Sequence, residues 1–343
     1  MRSLIYRDVL NEKDTIIQIA RCSFDLHFQD IIGTLTTGAT LVMLHPGGIT
    51  NFHYLIDVIN KKNISCLSTV PTILLHLLNF LQQANYPKTI KSLRSVCSAG
   101  EPCSVTLVNL ILASVACCCR LWNLYGPAET TIVCILHKID SITKTQTIPL
   151  GKPLSNYQCM IMNGYSQPSV IDEEGELLIG GVGVFAGYLG RCDLTVKALV
   201  EIDGQLFYRT GDLVTMDKNG LLHYQGRKDH QIKLHGQRIE LGEVERCLLS
   251  IVSISTCVVM KWNDDYLVAY VQSSSHVNED EIRQHCQSHL PPHMIPSIFV
   301  ILDKLPLNPN GKIDRKLLPL PHFSSTNVAN TRELLLPTNN IQV

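Results

Sequence analysis

The sequence predicts an α/β protein: a layered, mostly parallel sheet, then a β-rich part, then a small α+β unit reached through a hinge. Three observations carry this. Up to Thr131, short apolar strands alternate with stretches of helical spacing, the rhythm of a βα-layered sheet. From Ile148 the texture changes to short strands and turns. Gly226-Arg227-Lys228-Asp229 then breaks the apolar pattern, which restarts at 231–234. A pattern that stops and restarts at a short polar point marks a hinge.

Length and composition set the frame. At 343 residues the chain can bury a large core in two or three domains. Hydrophobic residues make up 45% and charged residues 17%, a globular balance rather than a disordered one. A formal net charge of −1 gives no global basic field for nucleic acid or anionic lipid. Residues 1–20 mix acids with bases and read as neither signal peptide nor anchor. No apolar stretch reaches the ~20 residues of a membrane span. The 13 cysteines are an odd number with no secretion signal, so reduced thiols and a cytoplasmic location are expected. Cys117-Cys118-Cys119 lacks a C-x-x-C partner pair and reads as small buried hydrophobes rather than a zinc site.

Taken in order, 15–20 is a short apolar run, followed by Cys22-Ser23-Phe24-Asp25. Residues 28–35 have helical spacing, and 38–44 read as a buried strand opened by a glycine. On its own, Asp25 ahead of that helix is an N-cap. Helices at 51–61 and 73–80 flank a strand at 64–69, with Val70-Pro71 punctuating the second start. A strand at 93–98 runs into Ala99-Gly100-Glu101-Pro102. After a helical stretch and a short strand comes Trp122-Asn123-Leu124-Tyr125-Gly126-Pro127-Ala128-Glu129-Thr130-Thr131. Ligands of such sheets bind at loops beyond the strand C-termini, where Gly100 and Gly126 both lie. Read bare, Tyr125-Gly126-Pro127 is a turn and Glu129 a first-turn helix acid.

The β-rich part includes a strand at 175–181. The run G-G-V-G-V-F-A-G at 180–187 fits neither phosphate-loop pattern, and no amphipathic helix opens after it, so it is not read as a nucleotide loop. Gly187-Tyr188 and 193–199 read as a turn and a short helix. Alternating runs at 206–208 and 221–225 flank a turn at Asp217-Lys218-Asn219-Gly220, since Asn-Gly supplies the positive φ such turns need. Gly211 beside Asp212 lets the backbone come close to a ligand. Beyond the hinge the pattern gives a helix at 241–250, strands at 255–261 and 266–272, and a helix at 278–290 stopped by Pro291-Pro292. A last strand lies at 298–302. By composition Lys312 is a solvated lysine in a turn, and the Pro-, Ser-, Thr- and Asn-rich tail from Pro319 suits a linker.

Two motifs carry a family resemblance. Y-R-T-G-D-L at 208–213 and G-R-K-D-H-Q-I-K-L-H-G-Q-R-I-E-L-G-E-V-E at 226–245 resemble core motifs of adenylate-forming, AMP-binding enzymes, most of all the adenylation domains of nonribosomal peptide synthetases. F-D followed by a helix and L-T-T-G-A-T-L-V, N-L-Y-G-P-A-E-T-T at 123–131 and N-G-K-I-D-R at 310–315 resemble three more. The resemblance covers about 15–320. It divides the chain into a remnant of the large N-terminal AMP-binding domain at 1–228, with its sheet part at 1–147 and β-rich part at 148–228, and a C-terminal domain at 229–320. A linker at 321–343 then leads toward a carrier domain that the chain does not include. The Ser/Thr/Gly-rich loop ending in Pro-Lys-Gly, which cradles ATP phosphates in the family, is not found, so the chain looks like a fragment.

The resemblance implies a two-step chemistry. A substrate carboxylate attacks the ATP α-phosphate, giving acyl-adenylate and pyrophosphate. A phosphopantetheine thiol of a separate carrier domain then takes the acyl group. Tyr125 would stack on adenine, Asn123 would bond its edge, and Gly100 and Glu101 would wall it, beside Gly126. Thr130 would touch phosphate and Glu129 would hold Mg²⁺. Asp212 would bind the ribose with Arg227 assisting, and Lys312 would stabilise charge on the phosphate and leaving-group oxygens. The C-terminal domain would rotate about Asp229. Asp25 would meet the substrate α-ammonium, which argues against the alternative of an acyl-CoA or aryl-acid ligase. Leu26, Gln29, Ser68, Cys97, Ala99, Leu124, Ile132 and Val133 would line the substrate pocket. That mostly apolar lining favours a medium-sized neutral amino acid. Expected partners are the amino acid, a carrier domain and a condensation domain, with no nucleic acid and no membrane. The reading from another class is a non-catalytic fragment that at most binds nucleotide.

Overall fold

The computed structural model describes residues 1–83, 90–140, 148–165, 167–229, 231–263, 266–273, 277–306 and 313–321. Its chain divides into two compact units, Met1–Lys228 and Asp229–Val343.

The first unit opens with α1 (Arg2–Tyr6), β1 (Thr15–Gln18), α2 (Leu26–Thr37), β2 (Thr40–Met43), α3 (Phe52–Lys61), β3 (Cys66–Thr69), α4 (Pro71–Gln83), β4 (Ser95–Ala99), α5 (Val105–Ser114) and β5 (Arg120–Tyr125). It continues with β6 (Ile135–Ile139) and β7 (Lys152–Pro153). Among the described residues these strands form one sheet in the order β2-β1-β3-β4-β5-β6-β7. The pairs from β2 to β5 are parallel, and β6 and β7 run antiparallel. Side chains alternate across a strand, so each strand feeds two cores. Ile17, Leu67, Val96 and Leu121 pack under α3, α4 and α5. Their neighbours Ile16, Cys66, Cys97 and Trp122 face the other way, into a second core shared with Leu4, Leu10 and Leu26.

The helices start where their chemistry allows. Asn51 caps α3 by accepting the Tyr54 N–H, Ser104 caps α5 through Leu107, and Pro71 opens α4 as a first-turn proline. The 38–44 run differs from expectation. Gly38 closes α2 rather than opening the strand, and β2 is half exposed rather than buried, because it is the edge of the sheet. The cysteine run differs too: Cys117 and Cys118 are exposed in the turn between α5 and β5, where no neighbour covers them as a strand would.

The β-rich part holds β8 (Tyr157–Met162), β9 (Gly175–Gly181), α6 (Cys192–Ala198), β10 (Leu199–Ile202), β11 (Gln205–Met216) and β12 (Leu222–Arg227). The sheet order is β10-β11-β9-β8, with β12 also on β11. The β11–β12 hairpin turns at Asp217–Gly220, where Asp217 Oδ1 accepts the N–H groups of Asn219 and Leu221. Tyr125, Cys134 and Ile135 join Leu177, Ile179 and Val214 in a core between the two sheets.

The second unit has the hairpin β13 (Gln231–Leu234) and β14 (Gln237–Glu240), then α7 (Leu241–Leu249), β15 (Ile254–Trp262), β16 (Tyr266–Ser273), α8 (Glu279–His289) and β17 (Ile298–Leu302). The sheet is β15-β16-β17, with the second pair parallel. Val244, Leu248, Ile282 and Cys286 cover one face and Leu305 the other. This is an α+β unit, and the α/β class expected for the whole chain is borne out.

Candidate functional site

A bulge builds the first half of the site. Along β11 the pairing to β9 shifts between Arg209 and Leu213, and Gly211 there has φ 70°, a conformation glycine adopts without penalty. The bulge turns Asp212 inward, where it is 3% exposed. Every group around it is matched. Thr210 Oγ1 donates to Leu177 O at 2.7 Å and accepts the Asp212 N–H at 3.0 Å. Arg227, paired opposite Asp212 in register, donates to Asp212 Oδ1 at 3.0 Å and to Thr210 O at 2.6 Å. Tyr125 at the C-terminal end of β5 donates its hydroxyl to Asp212 Oδ2. Burial, and then the Asp212 charge, hold the Tyr125 hydroxyl far above its usual range, so it stays a donor.

The loop after Tyr125 is folded tightly back. Thr131 and Ile132 both have positive φ, 58° and 72°, which for a β-branched residue is strained. A Cβ on Gly126 would lie 2.0 Å from Ile132 O, so only glycine permits this return. Pattern reading does not reveal this strain. The turn is held from outside by the glycine-rich run: Phe185 N–H donates to Glu129 O at 2.8 Å, and Thr131 Oγ1 donates to Gly183 O at 2.7 Å. Tyr188 donates to Glu129 Oε1 at 2.7 Å, and Tyr157 to Thr130 O at 2.6 Å. Thr210, Tyr157, Phe185 and Tyr188 escaped the sequence reading. Of these, only Thr210, inside Y-R-T-G-D-L, sits in a recognised motif. Glu129 lies in a three-residue 3₁₀ turn, too short for a helix dipole to account for its acid.

The second half lies on the other face of the first sheet. Leu26, Cys97, Ala99, Leu124, Ile132 and Val133 belong to one core cluster, and Ser68 sits opposite Cys97 in register. Gln29 projects from α2 and is 0% exposed. Asp25 stands ahead of α2 but makes no capping hydrogen bond from its side chain. Burial raises its pKa, against the pull of the Leu26 and Ile132 backbone N–H groups, and among the described residues its Oδ2 has no partner. The N-cap reading therefore yields to a carboxyl turned toward the Ile132 loop.

The remaining candidates lie apart or outside. Asn123 is 3% exposed and donates to Pro149 O at 2.7 Å. Glu101 accepts from Thr72 N and Oγ1 at the start of α4, and Gly100 is exposed beside it with φ 85°. Asp229 is exposed and accepts the Gln231 N–H at 3.1 Å. Lys312 lies outside the described residues.

A family profile described as AMP-binding enzyme matches residues 1–189, and one described as AMP-binding enzyme C-terminal domain matches 243–312. Surfactin synthase subunit 1 of Bacillus subtilis is 36% identical over 96% of the chain, and tyrocidine synthase 1 of Brevibacillus parabrevis 37% over 92%. The chain spans 9% and 29% of their lengths. Among solved structures, the Vibrio cholerae adenylation domain AlmE, crystallised with glycyl-adenosine-5'-phosphate, superposes with a TM-score of 0.81 at 25% identity. That match covers 97% of this chain and 61% of the other. These matches bear out the resemblance read from the motifs.

Proposed function

Since the chain belongs to the AMP-binding enzyme family, we propose that it activates an amino acid with ATP and passes it to a carrier thiol, as an adenylation domain of the peptide-synthetase kind. The observation that supports this best is the meeting of Tyr125, Asp212 and Arg227 beside a loop that also touches Asp25. Asp212 supplies carboxylate oxygens for two adjacent ribose hydroxyls, with Arg227 fixing its orientation. Tyr125 presents an aromatic ring for adenine. Asp25 Oδ2, buried and unpartnered, takes the substrate α-ammonium, which is why an amino acid suits this site better than a plain acid.

In the first step a substrate carboxylate oxygen bonds to the α-phosphorus and the bond to the β-phosphate breaks, releasing pyrophosphate. The carrier thiol then bonds to the acyl carbon and AMP leaves. Magnesium suits Glu129, since it takes one or two carboxylates and completes its shell with phosphate and water. Held there, the ion would supply positive charge to offset that of the phosphates. Tyr188 holds that carboxylate in place. By resemblance Lys312 stabilises the leaving oxygens and Asp229 is the hinge between the two steps.

Charged hydrogen bonds are worth about 1.5–3 kcal/mol, and about 1.4 kcal/mol is tenfold in affinity. Asp212→Ala should therefore weaken ATP binding by about 10–100-fold in calorimetry with Mg²⁺ present. Unchanged affinity would remove Asp212 from the site. Asp229→Pro tests the hinge, because proline fixes φ near −65°. Pyrophosphate exchange or carrier loading should be spared, but not both; equal retention rejects the hinge.

A further inference from the structure

The layer between α2 and the sheet holds more hydrogen-bonding capacity than the chain uses. Gln29 is 0% exposed, and among the described residues neither Oε1 nor Nε2 has a partner. Asp30, one residue on, is 2% exposed, and its Oδ2 has none. Ser68 is 1% exposed and leaves its Oγ, beside the Cys97 thiol, without a partner of normal geometry. Buried polar groups are nearly always hydrogen-bonded, so a cluster of unmet ones calls for a partner from outside the chain.

Their chemistry narrows that partner. The face of α2 turned inward carries Gln29, Asp30, Gly33 and Thr34, the i, i+1, i+4, i+5 spacing of one helical face. Asp30 lies five residues beyond Asp25, about 7.5 Å along a helix axis at 1.5 Å per residue. The groups acting on it are the Cys66 and Cys97 thiols on β3 and β4, and neither is a cation. Arg94, the cation that acts on Cys97, is committed to Asp14 and Asp8. Among the described residues Asp30 is thus a buried acid with no ion-pair partner. An ammonium carries three N–H donors. Asp30 Oδ2, Gln29 Oε1 and Ser68 Oγ are three unmet acceptors.

Resting on the adenylation reading above, we propose that Asp30 is a specificity residue and that the substrate is a diamino acid of the ornithine or lysine class. Asp25 takes its α-ammonium, and Asp30 with Gln29 and Ser68 takes its side-chain ammonium. A two-charge substrate with nitrogens some three or four methylenes apart spans the two carboxyls. An alkyl side chain leaves all three acceptors unmet, and a carboxamide brings donors but no positive charge to balance the acid. The apolar lining of Leu26, Ala99, Leu124 and Val133 then holds the methylene stem.

The test measures binding by calorimetry and pyrophosphate exchange with ornithine, lysine, glutamine and leucine, for the chain and for Asp30→Asn. The expected result is preference for ornithine or lysine, and a loss of about 10–100-fold for that substrate alone in Asp30→Asn, with glutamine equal or improved. A merely structural Asp30 would lower all four together. Preference for leucine or glutamine in the unmodified chain overturns this inference and leaves the adenylation reading standing. Binding of no amino acid, with or without ATP, overturns both. Asp30→Glu serves as the conservative control: partial retention of the diamine preference supports the assignment, and loss equal to that of Asp30→Asn in a folded protein counts against it.

Discussion

Strand β5 separates two regions that solve the same problem differently. On one side, Tyr125, Thr210, Asp212 and Arg227 form a polar network in which each member meets another. On the other, Asp25, Gln29, Asp30 and Ser68 each hold a buried polar atom with no hydrogen-bond partner among the described residues. Leu124 and Tyr125 are adjacent residues, yet they belong to opposite regions because strand side chains alternate. A matched network sits in place before a ligand arrives, and the ligand exchanges one bond for another. An unmatched one costs stability until a ligand of complementary chemistry fills it, and so it discriminates more sharply.

The largest expected effect breaks the matched side. Asp212→Ala leaves Arg227 and the Tyr125 hydroxyl without their shared acceptor. Asp212 and Arg227 side chains are 5% and 15% exposed, so this is a mostly buried pair. Removing one partner of such a pair costs about 3–5 kcal/mol. Urea denaturation should show a loss of this order, and a loss below about 1 kcal/mol would mean that the network is not a unit.

On the unmatched side the sign reverses. Asp30→Leu removes a buried acid with no partner, where each unmet group costs about 1–3 kcal/mol. Thermal unfolding without ligand should move up, not down. The pH dependence follows from burial, which pushes the Asp30 carboxyl well above its usual value. A raised folded-state value means the folded chain holds its proton longer than the unfolded chain. The protonated acid's contribution is full below the ordinary carboxyl value of 3.8 and is lost as pH rises toward the raised one. Asp30→Asn should flatten that part of the stability–pH curve. Asp25, also raised by burial, keeps its own share. No change of slope in Asp30→Asn would show the acid to be solvated.

What the sequence revealed depends on how local the cause is. The βα alternation, the 217–220 turn and the strand at 175–181 each follow from residues close together in the chain, and they stand as read. The alternating run at 231–234 stands as β13, but its hairpin partner β14 and the antiparallel β6 went unread. Motif resemblance singled out Asp25, Tyr125 and Asp212 but not Tyr188, whose hold on Glu129 crosses 59 positions. Nor did it single out Asp30, whose burial beside Gln29 is set by the fold. Edge position exposed β2, and a turn exposed Cys117 and Cys118. Both outcomes are tertiary, and apolar composition alone had pointed the other way.

A milder test within the matched network is Tyr125→Phe. It keeps the ring and removes one donor from Asp212. A hydrogen bond to a charged group is worth about 1.5–3 kcal/mol, and Arg227 and the Asp212 surroundings recover part of it. The expected loss is about 1–2 kcal/mol by urea denaturation, smaller than for Asp212→Ala. An equal loss would mean that Tyr125, not Arg227, anchors the acid.

The smallest expected effect lies at the end of the same network's strands. Glu176 on β9 takes Arg209 at 2.6 Å and Lys228 at 3.2 Å through one oxygen. Burial pushes its carboxyl up, but the two cations outweigh that and hold it below the usual range. Its side chain is 7% exposed, while those of Arg209 and Lys228 are 38% and 58% exposed, so water screens both partners. Half-exposed pairs of this kind contribute about 0–1 kcal/mol. Glu176→Gln should therefore cost less than about 1 kcal/mol at neutral pH, and the loss should shrink further in high salt. The sign of its pH dependence is the opposite of that for Asp30. A lowered folded-state value gives stability that is present above the ordinary carboxyl value and lost as pH falls through the lowered one. Glu176→Gln should flatten the acid limb of the stability curve, and Asp30→Asn the limb above it. If both variants flatten the same limb, one of the two acids does not have the surroundings described, and the contrast between matched and unmatched regions fails at that residue.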